Sequence, residues 1–338
     1  TIPRNESVLR NSLLPPYQAA IDAGAMSIMA GLALWGDEAI TGSTYLLTDV
    51  LKDEMKFTGF VVADWYGIYS VPGGRYAATV ASINAGIDMA MLPFDYEWFA
   101  FDMKNAVMSG DISRSRVDDA VRRILRAKFR LGLFDELNAS TPNVDVIGSA
   151  EHRALAREAV QKSLVLLKNE NVLPLSLDIE RIHVAGSAAD NIGWQAGGWT
   201  VEWQGIDGNW LPGATSLLTG IRNSASAQTV VDYQMDGNFS SDSMADVGIA
   251  IVGEKPYAEG VGDNAMPQLD NADIAAITNL KNTSKKIIVV IVSGRPLIVT
   301  DEISDWDAVV VAWLPGSEGI GIADALFGLS PFTGTLPL

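Results

Sequence analysis

An aspartate stands at the end of a short apolar run in the segment Gly59–Trp65. The run has the composition of a buried parallel strand, and active sites of α/β proteins gather where such strands end. Asp64 is therefore a candidate for chemistry, and Trp65 beside it offers an aromatic face to the apolar side of a sugar ring. A structural role for Asp64, as a cap of the following turn, explains the spacing equally well.

Two more carboxylates lie in a loop that follows another apolar run, in the segment Ile251–Asn264. Glu254 and Glu259 are both candidates for a general acid and base, which must donate and accept a proton in one reaction. The pattern alone does not choose between them. A solvated loop accounts for either glutamate without any chemistry.

The segment Gly193–Gly205 holds three of the nine tryptophans of the chain among several glycines. Glycine lets the backbone bend closely, and tryptophan supplies a rigid stacking surface at low entropic cost. The composition favours an exposed platform for a ligand. A tryptophan-rich corner of the core is the alternative.

The composition excludes several classes of function. The 338 residues include 24 Lys and Arg against 41 Asp and Glu, which gives a formal charge of −17. That field disfavours nucleic acid and anionic membranes as partners and suits a neutral ligand. With no Cys and two His, we expect no disulfide, no metal site and no cofactor. No apolar stretch reaches the ~18 residues of a membrane span.

Buried runs and helical patterns alternate in the first part of the chain. We expect strands buried on both faces at Ser27–Leu34, Phe60–Ala63 and Ile87–Leu92. Helical composition marks Thr44–Lys56, Ala77–Ala85 and a helix from Ser113, its N-cap, to Leu131. This order predicts an α/β domain over residues 1–134.

A polar, turn-rich stretch without periodicity, residues 135–149, predicts a linker between two domains. After it, Ala150–Asn169 has the pattern of an amphipathic packing helix. The rest of the second domain, residues 150–338, alternates again between predicted strands and helices. The strands are Ile182–Ala185, Thr229–Val231, Val247–Val252, Ile287–Val292 and Val309–Ala312, and the helices are Ala272–Leu280 and Gly319–Leu326.

Taken together, these motifs resemble those of glycoside hydrolase family 3. Within that family they resemble the bacterial and plant exo-β-glucanases and β-glucosidases. They stand in the family's order and span nearly the whole chain, whereas each is only moderately specific alone. The matching segments are Gly59–Trp65, Glu158–Glu170 with Leu173–Leu175, Gly197–Gly205, Gly253–Asn264, Ser293–Pro296 and Ala312–Gly319.

The resemblance implies a (β/α)8-type barrel followed by an α/β sandwich with a mostly parallel sheet, and an active site between them. It implies that Asp64 is the nucleophile, and that Glu259, which follows the Pro-Tyr pair, is the acid/base. Trp65 and Trp203 match the two tryptophans that clamp a glucosyl residue. The implied activity is a retaining, exo-acting β-glucosidase or exo-1,3(1,4)-β-glucanase outside the cytoplasm, extracellular or periplasmic.

Two alternatives stay open from the sequence. One is another β-glycosidase of the family, such as a β-xylosidase. The other is a non-catalytic carbohydrate-binding relative that keeps the aromatic clamp. Two positions depart from the relatives, because Leu32 stands where they usually have a tyrosine and Ser70 where they have an arginine that binds sugar.

The resemblance also indicates how much of a barrel domain the sequence contains. A barrel of this type has eight strands, and residues 1–134 match only the last three, without the sugar-binding residues that precede them in relatives. We therefore expect the sequence to be incomplete at both ends. We also expect a separate N-terminal fragment of the same protein as a partner.

Overall fold

A computed structural model describes residues 2–135 and 144–336. It divides the chain into two compact units, residues 1–142 and 143–338. The division falls inside the predicted linker 135–149, of which residues 136–143 lie outside the described residues. The described end of this stretch forms a single 3-10 turn at Val144–Val146. Mixed helices and parallel strands make each unit an α/β structure.

The described residues of the first unit, 2–135, contain five strands. They are β1 Ser27–Ala30, β2 Leu34–Trp35, β3 Glu38–Ala39, β4 Phe60–Trp65 and β5 Met89–Met91. Three of them form a parallel sheet in the order β1-β4-β5, and the other two, β2 and β3, pair as an antiparallel ribbon. The predicted strand Ser27–Leu34 was wrong beyond Ala30, because Leu34 pairs with Ala39 in that ribbon instead.

The three parallel strands are not buried on both faces, which corrects the prediction. Val61 and Ala63 on β4 have no exposed surface, whereas Met29 is 53% and Met89 46% exposed. An apolar run in the sequence does not distinguish a strand buried on one face from a strand buried on both.

The helices of the first unit follow the predicted pattern with shifted ends. The predicted helix Thr44–Lys56 spans Tyr45–Glu54 and has the wider hydrogen-bond pattern of a π-helix. Ser113 is confirmed as an N-cap, since its Oγ accepts the backbone N–H of Arg116. The helices are α1 Glu6–Val8, a π turn Leu9–Leu13, α2 Leu14–Asp22, the π-helix Tyr45–Glu54, α3 Arg75–Ala85, α4 Tyr96–Ser109 and α5 Arg114–Arg130.

A buried ionic cluster joins several of these elements. The carboxylate of Asp88 accepts the backbone N–H of Val61 at 2.8 Å and the ammonium of Lys52 at 2.8 Å, and it also pairs with Arg116. The Lys52 ammonium donates a second bond to the carbonyl of Gly86 at 2.6 Å. Such a cluster is stabilising only while every member has its partners, because an unpaired buried charge is costly.

The described residues of the second unit, 144–336, form six strands and five α-helices. The strands are β6 Val165–Asn169, β7 Arg181–Ala185, β8 Val230–Tyr233, β9 Val247–Gly253, β10 Ile287–Val292 and β11 Ala308–Trp313. The helices are α6 Ala150–Ser163, α7 Ile192–Ala196, α8 Leu217–Ser224, α9 Asn271–Lys281 and α10 Ile320–Leu326. The strands form one sheet in the order β6-β11-β10-β9-β7-β8, parallel except for β6. Its central strands are buried on both faces, as their apolar runs predict.

The predicted packing helix Ala150–Asn169 ends early, at Ser163. The residues after it form β6, whose antiparallel pairing with β11 outweighs the helical pattern. The packing role of α6 is confirmed: Arg157 donates two hydrogen bonds, at 2.6 and 2.5 Å, to the buried Asp324 of α10. Within residues 2–135 and 144–336, we find no helix with both the length and the apolar surface to cross a bilayer.

Lys52 makes the stability of the first unit depend on pH. Burial lowers its pKa from 10.5 to about 8, against the attraction of Asp88, which raises it. Between these values the unfolded chain binds more protons than the folded chain, so the free energy of unfolding rises with pH. We expect that rise in urea unfolding measured from about pH 8 to about pH 10.5.

The substitution Lys52→Met removes the titrating group, so the variant should lack this part of the rise although it is less stable overall. Lys104, which is exposed on α4, provides the matched control, and Lys104→Met should keep the wild-type slope. An unchanged slope in Lys52→Met would contradict the assignment.

Candidate active site

Asp64 lies near the carboxyl end of β4, the middle strand of the first sheet. Its side chain is half-buried, and one oxygen, Oδ1, accepts the backbone N–H of Trp65 at 2.6 Å. This bond reaches only the next residue and does not cap the 3-10 turn that follows at Gly67–Ser70, whose N-cap is Tyr66. Among residues 2–135 and 144–336, Oδ2 has no protein hydrogen-bond partner, so it is available to a ligand.

The chain turns sharply after this aspartate. Tyr66 has a left-handed backbone with φ +56°, and a 3-10 turn follows at Gly67–Ser70. The buried hydroxyl of Thr41 donates to the carbonyl of Gly67 at 2.9 Å, and Ser82 donates to that of Ile68 at 3.2 Å. The sequence gives no signal for these two supports, because both come from distant helical segments.

Two exposed aromatic rings border Asp64. The ring of Trp65 is 52% exposed and meets the ring of Phe94 edge-on, with 6.4 Å between centroids. Phe94 follows β5 and is 78% exposed. The sequence analysis did not single it out, although an aromatic residue two positions after a predicted strand was a usable signal. Leu32 is exposed as well, at 56%.

In the second unit, the two predicted site segments leave the sheet from neighbouring strands. The tryptophan-rich segment follows β7 and the carboxylate loop follows β9, and these strands pair in parallel. From β7 the chain continues to β8 on one side of this pair, and from β9 it continues to β10 on the other side. Ligands of open α/β sheets bind at such a switch point, outside the carboxyl ends of the strands.

A buried aspartate forms hydrogen bonds to the points where these two segments leave the sheet. Asp273 of α9 accepts hydrogen bonds from the Ser187 hydroxyl at 3.0 Å, the Ser187 backbone at 3.2 Å and the Gly253 backbone at 3.1 Å. Burial raises the pKa of Asp273, although these bonds favour its charged form. Its place beneath the loops indicates a structural role.

The two glutamates of the carboxylate loop differ in what they contact. Glu254 accepts from Arg295 Nη2 at 2.6 Å, from Ser293 Oγ at 2.7 Å and from the Tyr257 hydroxyl at 3.3 Å. Glu259 is exposed, has φ +53°, and has no side-chain hydrogen bond or ion pair within the described part of the chain. A general acid must be free to reach a substrate, so the geometry favours Glu259 over Glu254 for that role.

The tryptophan-rich segment divides into a buried and an exposed part. Trp194 is 5% exposed and donates its indole N–H to Asp207, so the platform prediction was wrong for this residue. Trp199 and Trp203 are 70% and 51% exposed, with 6.3 Å between ring centroids. These two rings form an exposed aromatic pair of the kind that stacks on sugars.

The aromatic pair and the carboxylate loop are in direct contact. Gln204 accepts the backbone N–H of Ala258 at 2.9 Å, one residue after Trp203 and one residue before Glu259. Gly198 lies so close that a Cβ atom there would be 2.1 Å from the carbonyl oxygen of Tyr257. Trp203 and Glu259 therefore lie on two segments of the second unit that contact each other, and their assignment to one site stays a prediction of the resemblance.

Both parts of the chain match one known protein family. The profile for the Glycosyl hydrolase family 3 C-terminal domain matches residues 164–338, and that for the Glycosyl hydrolase family 3 N terminal domain matches residues 1–127. A lysosomal β-glucosidase of Dictyostelium discoideum is 34% identical over 98% of this chain and 44% of its own length. A periplasmic β-glucosidase of Salmonella typhimurium is 29% identical over 100% of this chain and 49% of its own length.

Among solved structures, a mutant of an exo-1,3/1,4-β-glucanase from a Pseudoalteromonas species superimposes with a TM-score of 0.88 and 41% sequence identity. The match covers 99% of this chain and 56% of that protein. The chain thus spans about half the length of the relatives it matches.

The different burial of the tryptophans predicts different effects of their removal. Trp194→Ala should lower the free energy of unfolding by about 3–5 kcal/mol, because it leaves a cavity and removes one of the two side-chain hydrogen bonds to Asp207. Trp203→Ala should change it by less than about 0.5 kcal/mol, since that ring is half in solvent. Urea unfolding of both variants measures this, and a large loss in Trp203→Ala would show that its ring is a core residue.

Proposed function

Because this chain belongs to glycoside hydrolase family 3, we propose that it is a retaining, exo-acting β-glucosidase or exo-1,3(1,4)-β-glucanase that releases glucose from non-reducing ends. The observation that carries the proposal is a carboxylate beside exposed tryptophan in each unit. Asp64 and Trp65 lie at the carboxyl end of β4, and Glu259 and Trp203 lie in the segments that follow the parallel strands β9 and β7. The proposed substrate is a neutral β-glucan oligosaccharide or β-glucoside, which the charge of −17 does not repel.

In the proposed reaction, Asp64 attacks the anomeric carbon of the terminal glucosyl residue while Glu259 protonates the departing glycosidic oxygen. The product is a covalent glycosyl–aspartate. Glu259, now ionised, then takes a proton from water, and the resulting hydroxide displaces Asp64 with net retention. The reaction requires both carboxyl groups to act on one glycosidic bond.

The aromatic residues fit the same proposal. The exposed rings of Trp65 and Trp203 would stack on the apolar faces of the leaving glucosyl residue, which fixes its orientation without charge. A β-xylosidase would use the same two carboxylates, and a non-catalytic sugar-binding relative would keep the rings alone. We propose an extracellular or periplasmic location from the polysaccharide substrate class.

The two carboxylates predict different dependences on the leaving group. Asp64→Ala should lower kcat/KM about 1,000-fold or more for every substrate, because no glycosyl–enzyme can form. Glu259→Ala should lower it about 100-fold or more for laminaribiose, yet less than about 10-fold for 2,4-dinitrophenyl β-glucoside, whose leaving group needs no proton. Initial rates on both substrates measure this.

Glu151, exposed at the start of α6, provides the control, and Glu151→Ala should match wild type on both substrates. Proton NMR of the sugar first released by wild type should show the β anomer. Equal losses for Glu259→Ala on both substrates would remove it from the acid role. Preference for an aryl β-xyloside would select the xylosidase, and sugar binding without hydrolysis would select the binding protein.

We also propose that the chain acts together with an N-terminal fragment of the same protein, since it spans about half the length of its relatives. A fragment covering further barrel strands should co-purify with it and appear as a second mass beside 36.2 kDa in denaturing mass spectrometry. Activity in a preparation that contains the 36.2 kDa chain alone would contradict this.

A further inference from the structure

One arginine, which follows β10, contacts both ends of the carboxylate loop. Arg295 binds the carboxylate of Glu254 through Nε at 3.1 Å and Nη2 at 2.6 Å. Its third nitrogen, Nη1, donates to the carbonyl of Gly262 at 2.5 Å. Glu254 begins the loop and Gly262 ends its 3-10 turn, so a single planar group closes the loop around Glu259.

The interior of this loop is filled by an aromatic ring. The guanidinium carbon of Arg295 lies 4.6 Å from the ring centroid of Tyr257, a cation–π contact. A Cβ atom at Gly262 would lie 2.2 Å from the same ring, so this position has no room for a side chain. Ser293 donates a further hydrogen bond to Glu254 at 2.7 Å, so the carboxylate of Glu254 is held by Ser293 as well as by Arg295.

Glu259 needs this support because it has none of its own. Its side chain makes no hydrogen bond or ion pair with the described residues, so only the backbone of the loop sets its position. That backbone is left-handed at Glu259, φ +53°, a conformation that is strained for a residue with a side chain. A free loop would relax to other conformations, which would move the carboxyl group.

We propose that Arg295 is a positioning residue for the acid/base. It holds Glu254 and Gly262 together and thereby fixes the place and direction of the Glu259 carboxyl group. Glu254, which the sequence offered as an acid/base candidate, serves as the anchor of that arginine. The inference rests on the proposed function for the role of Glu259, and it assigns the Ser293–Arg295 segment to the same site.

The planar fork of Arg295 explains why this residue type is required. Two parallel N–H groups match the two carboxylate oxygens of Glu254, and a further N–H remains for Gly262. A lysine ammonium at this position is a point charge and cannot hold both ends in one geometry. Arg295→Lys should therefore keep the charge but lose the positioning.

The test compares Arg295→Ala with Arg157→Ala, which removes another two-bond arginine–carboxylate pair of the same unit, on α6. If Arg295 positions Glu259, Arg295→Ala should lose about 10-fold to 100-fold in kcat/KM on laminaribiose and less than about 3-fold on 2,4-dinitrophenyl β-glucoside. Arg157→Ala should lose equally on both substrates or not at all. Arg295→Lys and Glu254→Gln should show the same selective loss in smaller measure.

Amide hydrogen exchange provides a readout that does not need activity. Exchange of residues 255–262 should be faster in Arg295→Ala than in wild type, and unchanged in Arg157→Ala. Equal losses on both substrates, or unchanged exchange in the loop, would overturn the positioning role. A wild-type preparation that contains the chain together with its N-terminal fragment and hydrolyses neither substrate would refute the proposed function instead. The exchange comparison would still decide whether Arg295 holds the loop.

Discussion

Parallel strand pairing is the constraint on which the candidate site depends. Strands that run in one direction must be joined by crossovers, so all their carboxyl ends, and the loops that leave them, share one edge. In the first unit this edge carries Asp64 and Trp65 beside Phe94. In the second unit it carries the aromatic pair and Glu259. The chemistry is thus concentrated by topology before any side-chain contact forms.

Within that arrangement, the charged groups divide by whether the protein already satisfies them. Asp88, Asp273 and Glu254 are buried or half-buried and have several protein donors each, so they stabilise local structure. Asp64 retains a free oxygen and Glu259 has no protein partner in the described residues. A carboxylate that keeps its hydrogen-bonding capacity at a sheet edge is free to act on a substrate, and for this reason we propose these two groups, not the other three, for catalysis.

Much of this could be predicted from local sequence. The central strands of the second unit are unbroken apolar runs, and Asp64 follows such a run directly. What could not be predicted depends on distant partners. The contrast between Glu254 and Glu259 is set by Arg295, 41 positions after Glu254. Residues 165–169 continue a helical pattern and become a strand only because β11 pairs with them. Periodicity carries no information about either contact.

The hydrogen bonds of Asp273 have a consequence for how such a site can diversify. They fix Ser187 and Gly253 at the points where both segments leave the sheet, through a side chain that belongs to neither segment. Insertions, deletions and exchanges of aromatic residues farther along these segments leave that anchor intact. The proposed sugar-binding surface can therefore change in length and shape over evolution, while the strand ends beneath it keep their register.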